Sequence, residues 1–183
     1  MASNPPICEF GWQAPAFELP GTDGAIHTLE TLMGPNGLLI MFICNHCPYV
    51  RSITERLVRD MAVLRAHGIG VAAICSNDAL NYPQDSFANM KLFAADRDFD
   101  FAYLHDDSQA VSRRYDAVCT PDFFGFNNRF ELQYRGRLDE GGRNQPPPGA
   151  RRELREAMIL VSKTGNGPPE QTPSMGCSIK WKP

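Results

Sequence analysis

Leu38 to Ile43 (LLIMFI) is apolar at every position, and Ile69 to Cys75 (IGVAAIC) carries no polar side chain before its cysteine. Runs this short with no polar face predict central strands covered by helices on both sides. Between them the period changes. Val50, Ile53, Leu57, Met61 and Leu64 recur every three or four residues, while Arg51, Arg56, Arg59 and Arg65 fall elsewhere. That spacing predicts an amphipathic helix, with Pro48 in its first turn and Gly68 at its end. Upstream, FEL and AIHTL flank the Gly-Thr-Asp-Gly turn at residues 21–24 and predict a small hairpin; residues 1–16 read as an arm or loop. Downstream, helices are expected over Ser86 to Ala95 and Ser108 to Tyr115, and a short strand over Phe101 to His105. Phe123–Phe126 and Phe130–Tyr134, split by Asn127-Asn128, predict a second hairpin. A long loop follows through Pro146-Pro147-Pro148, then a last helix over Arg151 to Val161 and a tail rich in Gly and Pro from Gly165.

Strand, helix, strand, helix, then a hairpin and a final helix predict an α/β fold. Its mixed central sheet carries helices on both faces, an extra N-terminal hairpin and a C-terminal tail. At 183 residues this is one domain, with a core over about residues 10–164 and a tail over 165–183. The charge balance of 18 basic against 21 acidic residues offers no footprint for nucleic acid. No apolar run approaches a membrane span, and no basic-then-apolar leader opens the chain. The expectation is a cytoplasmic protein with neither nucleic-acid nor membrane partners.

Six cysteines are spaced unevenly, and only Cys44 and Cys47 are close, as C-N-H-C. The pair falls at a strand-to-helix junction, where unsatisfied N–H groups and the positive end of the helix dipole stabilise a thiolate. Cys44 is expected to be the exposed attacker and Cys47, one turn deeper, the resolving thiol. Asn45, His46 and Pro48 support them, His46 as a titratable cation beside both. An imidazolium there stabilises the reduced form, which predicts a potential less negative than the about −270 mV of thioredoxin. Cys75 reads as a small core residue and Cys8 as an incidental thiol. Phe123, Phe124, Phe126 and Phe130 read as core. Tyr49, Phe123 and Phe124 are also candidates for gripping an apolar client segment if exposed.

The order of elements, with C-x-x-C between the first core strand and its helix, resembles the thioredoxin fold. More closely it resembles the redoxin branch of the alkyl hydroperoxide reductase/thiol-specific antioxidant superfamily, including its peroxiredoxin-like and thiol-disulfide-isomerase-like proteins. LLIMFICNHCPYVRSI, YDAVCTPDFFGFN and LQYRGRLD carry the resemblance, and the tail PSMGCSIKWK is similar to a subgroup. The resemblance implies a cis peptide at Thr120-Pro121 facing the pair. It also brings Cys119 near the pair; with Cys177, on a flexible tail, Cys119 is a candidate further redox thiol. Two positions depart from thioredoxins: Ile43 stands where they have Trp, and Leu38 where they have a buried acid.

Three functions are open. The first is a thiol-disulfide oxidoreductase with a protein or small-molecule disulfide or thiol as substrate, an external electron donor and no cofactor. The second is a peroxiredoxin-like peroxidase with Cys47 attacking peroxide; Cys44 then stands at that family's Thr position, and only Arg113, Arg114 or Arg129 is placed to serve as its Arg. The third is a non-catalytic module holding copper or zinc through Cys44, His46 and Cys47.

Overall fold

A computed structural model describes residues 2–6 and 8–183. The chain opens with β1 (Ala2–Ser3), followed by the hairpin β2 (Glu18–Pro20) and β3 (Ile26–Thr28) and the single-turn α1 (Leu29–Leu32). The expected strand is β4 (Gly37–Phe42), the long helix is α2 (Pro48–Ala66), and β5 is Ile69–Cys75. Then come α3 (Phe87–Asp96), β6 (Ala102–His105), α4 (Ala110–Arg114) and β7 (Cys119–Thr120). The chain closes through β8 (Asp122–Phe126), β9 (Leu132–Tyr134), α5 (Glu153–Thr164) and β10 (Gly176–Ser178).

The central sheet has the order β6-β5-β4-β8-β9. β4, β5 and β6 run parallel, and β8 and β9 are antiparallel, so the sheet is mixed as expected. Every residue of β4 is buried because alternate side chains enter two different cores. Leu39, Met41 and Ile43 pack with α2, α3 and α5, while Leu38, Ile40 and Phe42 pack with the N-terminal hairpin, α4 and Ile179. Phe123 faces the first core and Phe124 and Phe126 the second, so neither Phe123 nor Phe124 is available to grip a client. Among the described residues, no helix is long and apolar enough to cross a membrane.

Three expectations change. Arg56 does not face solvent: it is buried, and its guanidinium donates to the Asp139 carboxylate at 2.8 Å and to Gly142 O. Its charge is tolerated there because Asp139 is equally buried and fully paired. The N-terminal arm is not all loop, since Ala2–Ser3 pairs as a strand. The tail is not flexible but folds back as the middle strand of a second sheet, β1-β10-β7. Asp78 N donates to Lys180 O at 2.8 Å, Lys180 N to Asn77 Oδ1 at 2.9 Å and Lys182 N to Gln109 Oε1 at 2.8 Å, while Ile179 inserts into the core.

Candidate active site

β4 delivers the chain to Cys44, and Cys47 is the N-cap of α2 with Pro48 in the first turn. The first-turn N–H of Val50 acts on the Cys47 sulfur without closing a capping hydrogen bond. The opposite wall is the strand β7 and its successor: Thr120-Pro121 is cis. Thr120 Oγ1 lies 3.4 Å from Cys44 Sγ, and Thr120 O lies 3.1 Å from Cys47 Sγ. The structure therefore brings Cys44, Cys47, Thr120 and Pro121 together, as the C-N-H-C and C-T-P segments imply.

The expected exposure of Cys44 is not found. Cys44 and Cys47 are both fully buried. The two thiols act on each other in opposite directions. The Cys47 neighbour pushes Cys44 well up, with burial and the nearby Asp85 carboxylate adding to the effect. The Cys44 neighbour lowers Cys47 to about 4; burial opposes it, while Thr120, Val50 N–H and Cys177 assist. The Thr120 carbonyl, 3.1 Å away, favours a protonated Cys47. The influences that lower Cys47, Cys44 first, outweigh it. These influences favour a negative charge on Cys47, the N-cap of α2.

Asp85, absent from the sequence reading, organises the loop between the cysteines. It ends a 3-10 turn, Pro83–Asp85, and is wholly buried. Its carboxylate accepts from Asn45 N (2.8 Å), His46 N (3.2 Å), His46 Nδ1 (2.6 Å) and Asn77 Nδ2 (2.7 Å). Asn45 is held further by its amide donating to Gln84 O at 2.9 Å and by Tyr103 OH donating to its Oδ1 at 2.9 Å. His46 stacks on Tyr82, with ring centroids 5.7 Å apart. Its Nδ1 thus serves Asp85, not a sulfur, which qualifies the expected cation beside both thiols. Nothing in the spacing of S-N-D-A-L-N-Y-P-Q-D marks Asp85; only tertiary packing brings it under the loop.

The metal set expected from the sequence changes as well. Among the described residues, Cys44, His46 and Asp85 place ligand atoms within 4.8 Å of one another, and Cys47 is not among them. Asp85 already accepts four hydrogen bonds and His46 Nδ1 is committed to it, so the donor set is engaged in holding the loop. Its third member is a carboxylate, a hard ligand that does not suit Cu(I).

The remaining thiols differ. Cys75 is a core residue whose burial raises it to about 12. Cys119 is buried near Cys47, but its Sγ donates to Pro121 O at 3.4 Å, and burial pushes it up strongly. Cys8 is half-buried in the arm and raised to about 11 by burial. Cys177 is half-buried and is raised to about 11, first by burial and then by the nearby Cys47. The arginines expected near a peroxidatic site are elsewhere: Arg113 stacks on Trp181, Arg129 pairs with Glu131 at 2.7 Å, and Arg114 is exposed. A cavity of about 500 Å³ opens beside Pro121, between Tyr49, Arg143, Ser174 and Met175; neither Cys44 nor Cys47 lines it.

The AhpC/TSA family pattern matches residues 10–140, which include both cysteines, Thr120 and Pro121. The chain belongs to the AhpC/TSA family. An uncharacterised conserved protein from Geobacillus kaustophilus is 41% identical, with a TM-score of 0.94 over 100% of this chain and 97% of that one. A hypothetical protein from Sinorhizobium meliloti is 34% identical, with a TM-score of 0.89 over 100% and 99%. The thioredoxin domain of a thiol-disulfide oxidoreductase from Bacteroides vulgatus, at 16% identity, shares the fold (TM-score 0.58, 69% of this chain and 86% of that one). No curated protein matches the chain. The redoxin resemblance and the thioredoxin-like fold expected from the sequence are both borne out.

Proposed function

We propose that the protein is a thiol-disulfide oxidoreductase whose exchanging pair is Cys44 and Cys47, with Cys47 holding the thiolate and Cys44 the proton. The observation that supports this most is that both sulfurs meet at Thr120 beside the N-cap of α2, Cys44 Sγ 3.4 Å from its Oγ1 and Cys47 Sγ 3.1 Å from its O. The roles are thus the reverse of those expected from the sequence. The Cys47 thiolate attacks one sulfur of a substrate disulfide, forming a mixed disulfide and releasing the first substrate thiolate. Cys44 gives its proton to that leaving group and attacks the Cys47 sulfur, closing the Cys44–Cys47 disulfide and releasing the second thiolate. The substrate disulfide gains two electrons and the pair loses two. An external thiol donor then restores the dithiol. Asn45, Pro48, Thr120 and Pro121 shape the loop and wall around the sulfurs, and Asp85 with His46 holds that loop in place.

Peroxide reduction is the second reading, because a depressed thiol at the second C-x-x-C position is what peroxide chemistry needs. Against it, the groups acting most strongly on Cys47 include no cation to stabilise the departing oxygen. The test is reduction of insulin and of a small disulfide with dithiothreitol as donor, beside peroxide consumption, for the wild type, Cys44→Ser and Cys47→Ser. Disulfide reduction lost in both variants, with slow peroxide turnover, supports exchange. Disulfide reduction unaffected by either variant rejects it. Fast peroxide turnover abolished only by Cys47→Ser establishes the second reading.

A further inference from the structure

Cys44 and Cys47 are both fully buried in this conformation, so direct exchange of either with an external sulfur needs the site to open first. A third sulfur lies nearer the surface. Cys177 is half-buried and packs against the core cluster that holds Cys44 and Cys47. It gets there because β10 pairs antiparallel with β7, setting Cys177 opposite Thr120 and Ser178 opposite Cys119. Thr120 is the residue that touches both sulfurs of the pair. The approach requires Gly176, since a Cβ there would lie 2.2 Å from Thr120 O. β1 closes over the far edge of β10, with Ala2 opposite Cys177. Ser174 Oγ fixes the approach of the tail by donating to Pro121 O at 3.0 Å. The backbone edge of β7 beside the pair, the natural place for an extended partner to add as a strand, is thus already filled by the chain's own tail, with a cysteine at the register position facing the site.

We propose that Cys177 is a third redox thiol that carries exchange between the exterior and the buried pair; this rests on the reading of Cys44 and Cys47 as that pair. In the oxidised protein, Cys177 attacks the Cys47 sulfur of the Cys44–Cys47 disulfide. A Cys47–Cys177 disulfide forms, and Cys44 leaves as a thiolate that takes up the proton Cys177 gives away. An external thiolate then attacks the half-buried Cys177 sulfur, and Cys47 departs as the thiolate. A second external thiol attacks the Cys177 mixed disulfide, releasing the donor as its disulfide and Cys177 as a thiol. Two donor thiols are oxidised and one protein disulfide is reduced. Cys177 is bonded to each partner only in turn, so the resting dithiol and disulfide forms of the pair stay unchanged.

The test compares wild type, Cys177→Ser and Cys177→Ala for the rate at which dithiothreitol reduces the oxidised pair, with bonds mapped by mass after alkylation. Both variants are expected to form the Cys44–Cys47 disulfide and to be reduced at least tenfold more slowly. Oxidised Cys44→Ser is expected to trap a Cys47–Cys177 disulfide. Reduction within twofold of wild type in both Cys177 variants, or no Cys47–Cys177 bond in Cys44→Ser, overturns the relay while leaving the pair intact. Failure of the wild type and both Cys177 variants to form any Cys44–Cys47 disulfide instead overturns the pair, and the relay with it.

Discussion

Replacing Cys44 by alanine isolates the interaction that sets the charge on Cys47. The largest influence lowering Cys47 to about 4 is the neighbouring Cys44 thiol, acting as a hydrogen-bond donor to the thiolate. A hydrogen bond to a charged group contributes about 1.5–3 kcal/mol. One pKa unit corresponds to about 1.4 kcal/mol, so losing the donor should raise Cys47 by about one to two units. The reporter is thiolate absorbance near 240 nm in the reduced protein. Below about pH 8 it reports Cys47 alone, because burial or contact with Cys47 holds Cys8, Cys44, Cys75, Cys119 and Cys177 above the ordinary thiol range. At pH 5 the wild type should be about nine-tenths thiolate and Cys44→Ala about half or less. Cys44→Ser keeps a donor and should shift less. An unchanged midpoint in Cys44→Ala, or a step near pH 4 that survives in Cys47→Ser, would refute the assignment of the charge.

The same depression has a stability consequence. Cys47 ionises more readily folded than unfolded, so its contribution is present above the ordinary thiol range and is lost as pH falls toward 4. The reduced protein should therefore lose stability on acidification through that window, and the oxidised protein, lacking the free thiol, should lose less.

Asp85→Ala leaves Asn45 N–H, His46 N–H and the Asn77 amide without their acceptor. It should cost about 3 kcal/mol in denaturant unfolding, and an unchanged midpoint would contradict the role given to this carboxylate. Asp122 is raised to about 6 by burial, with Arg135 pulling against it, so the fold binds its proton more tightly than the unfolded chain does. Its stabilising effect is complete below about pH 3.8 and disappears as pH rises through 6. Asp122→Asn should flatten that fall in stability, and an unaltered slope between pH 4 and 6 would exclude Asp122 as its source. Gly176→Val should displace β10 and speed amide exchange at Ile179, whose N–H donates to Val118 O, whereas retained protection would mean that the close approach to Thr120 is not required.

The strands and helices were legible because each obeys one period: β4 and β5 are apolar throughout, and α2 repeats every three or four residues. Cys44, Cys47, Thr120 and Pro121 were legible because two short motifs carry them. Three features were not. The burial of Cys44 depends on Cys75, Thr120 and Asp85 converging from separate segments. Asp85 arrives through a turn forty residues beyond Asn45, and no spacing rule covers that reach. The tail looked unstructured because Pro and Gly dominate it, yet G-C-S-I alternates sides as a strand does, and Ile179 needs a core to enter. Arg56 was misplaced for a related reason: its position on α2 faces Asp139, and a charge with a buried partner breaks the polar-out pattern.

The reduction potential of the Cys44–Cys47 couple, followed against pH, tests the shared proton most directly. For a two-electron couple, each proton taken up on reduction shifts the potential by about 30 mV per pH unit. A reduced pair with Cys47 ionised and Cys44 protonated takes up one proton, so the slope between pH 5 and 8 should be about 30 mV per unit. The stabilised thiolate should also set the potential above the about −270 mV of thioredoxin. A slope near 60 mV per unit would mean that both thiols are protonated at neutrality, and the absence of a two-electron couple would mean that the pair does not exchange at all.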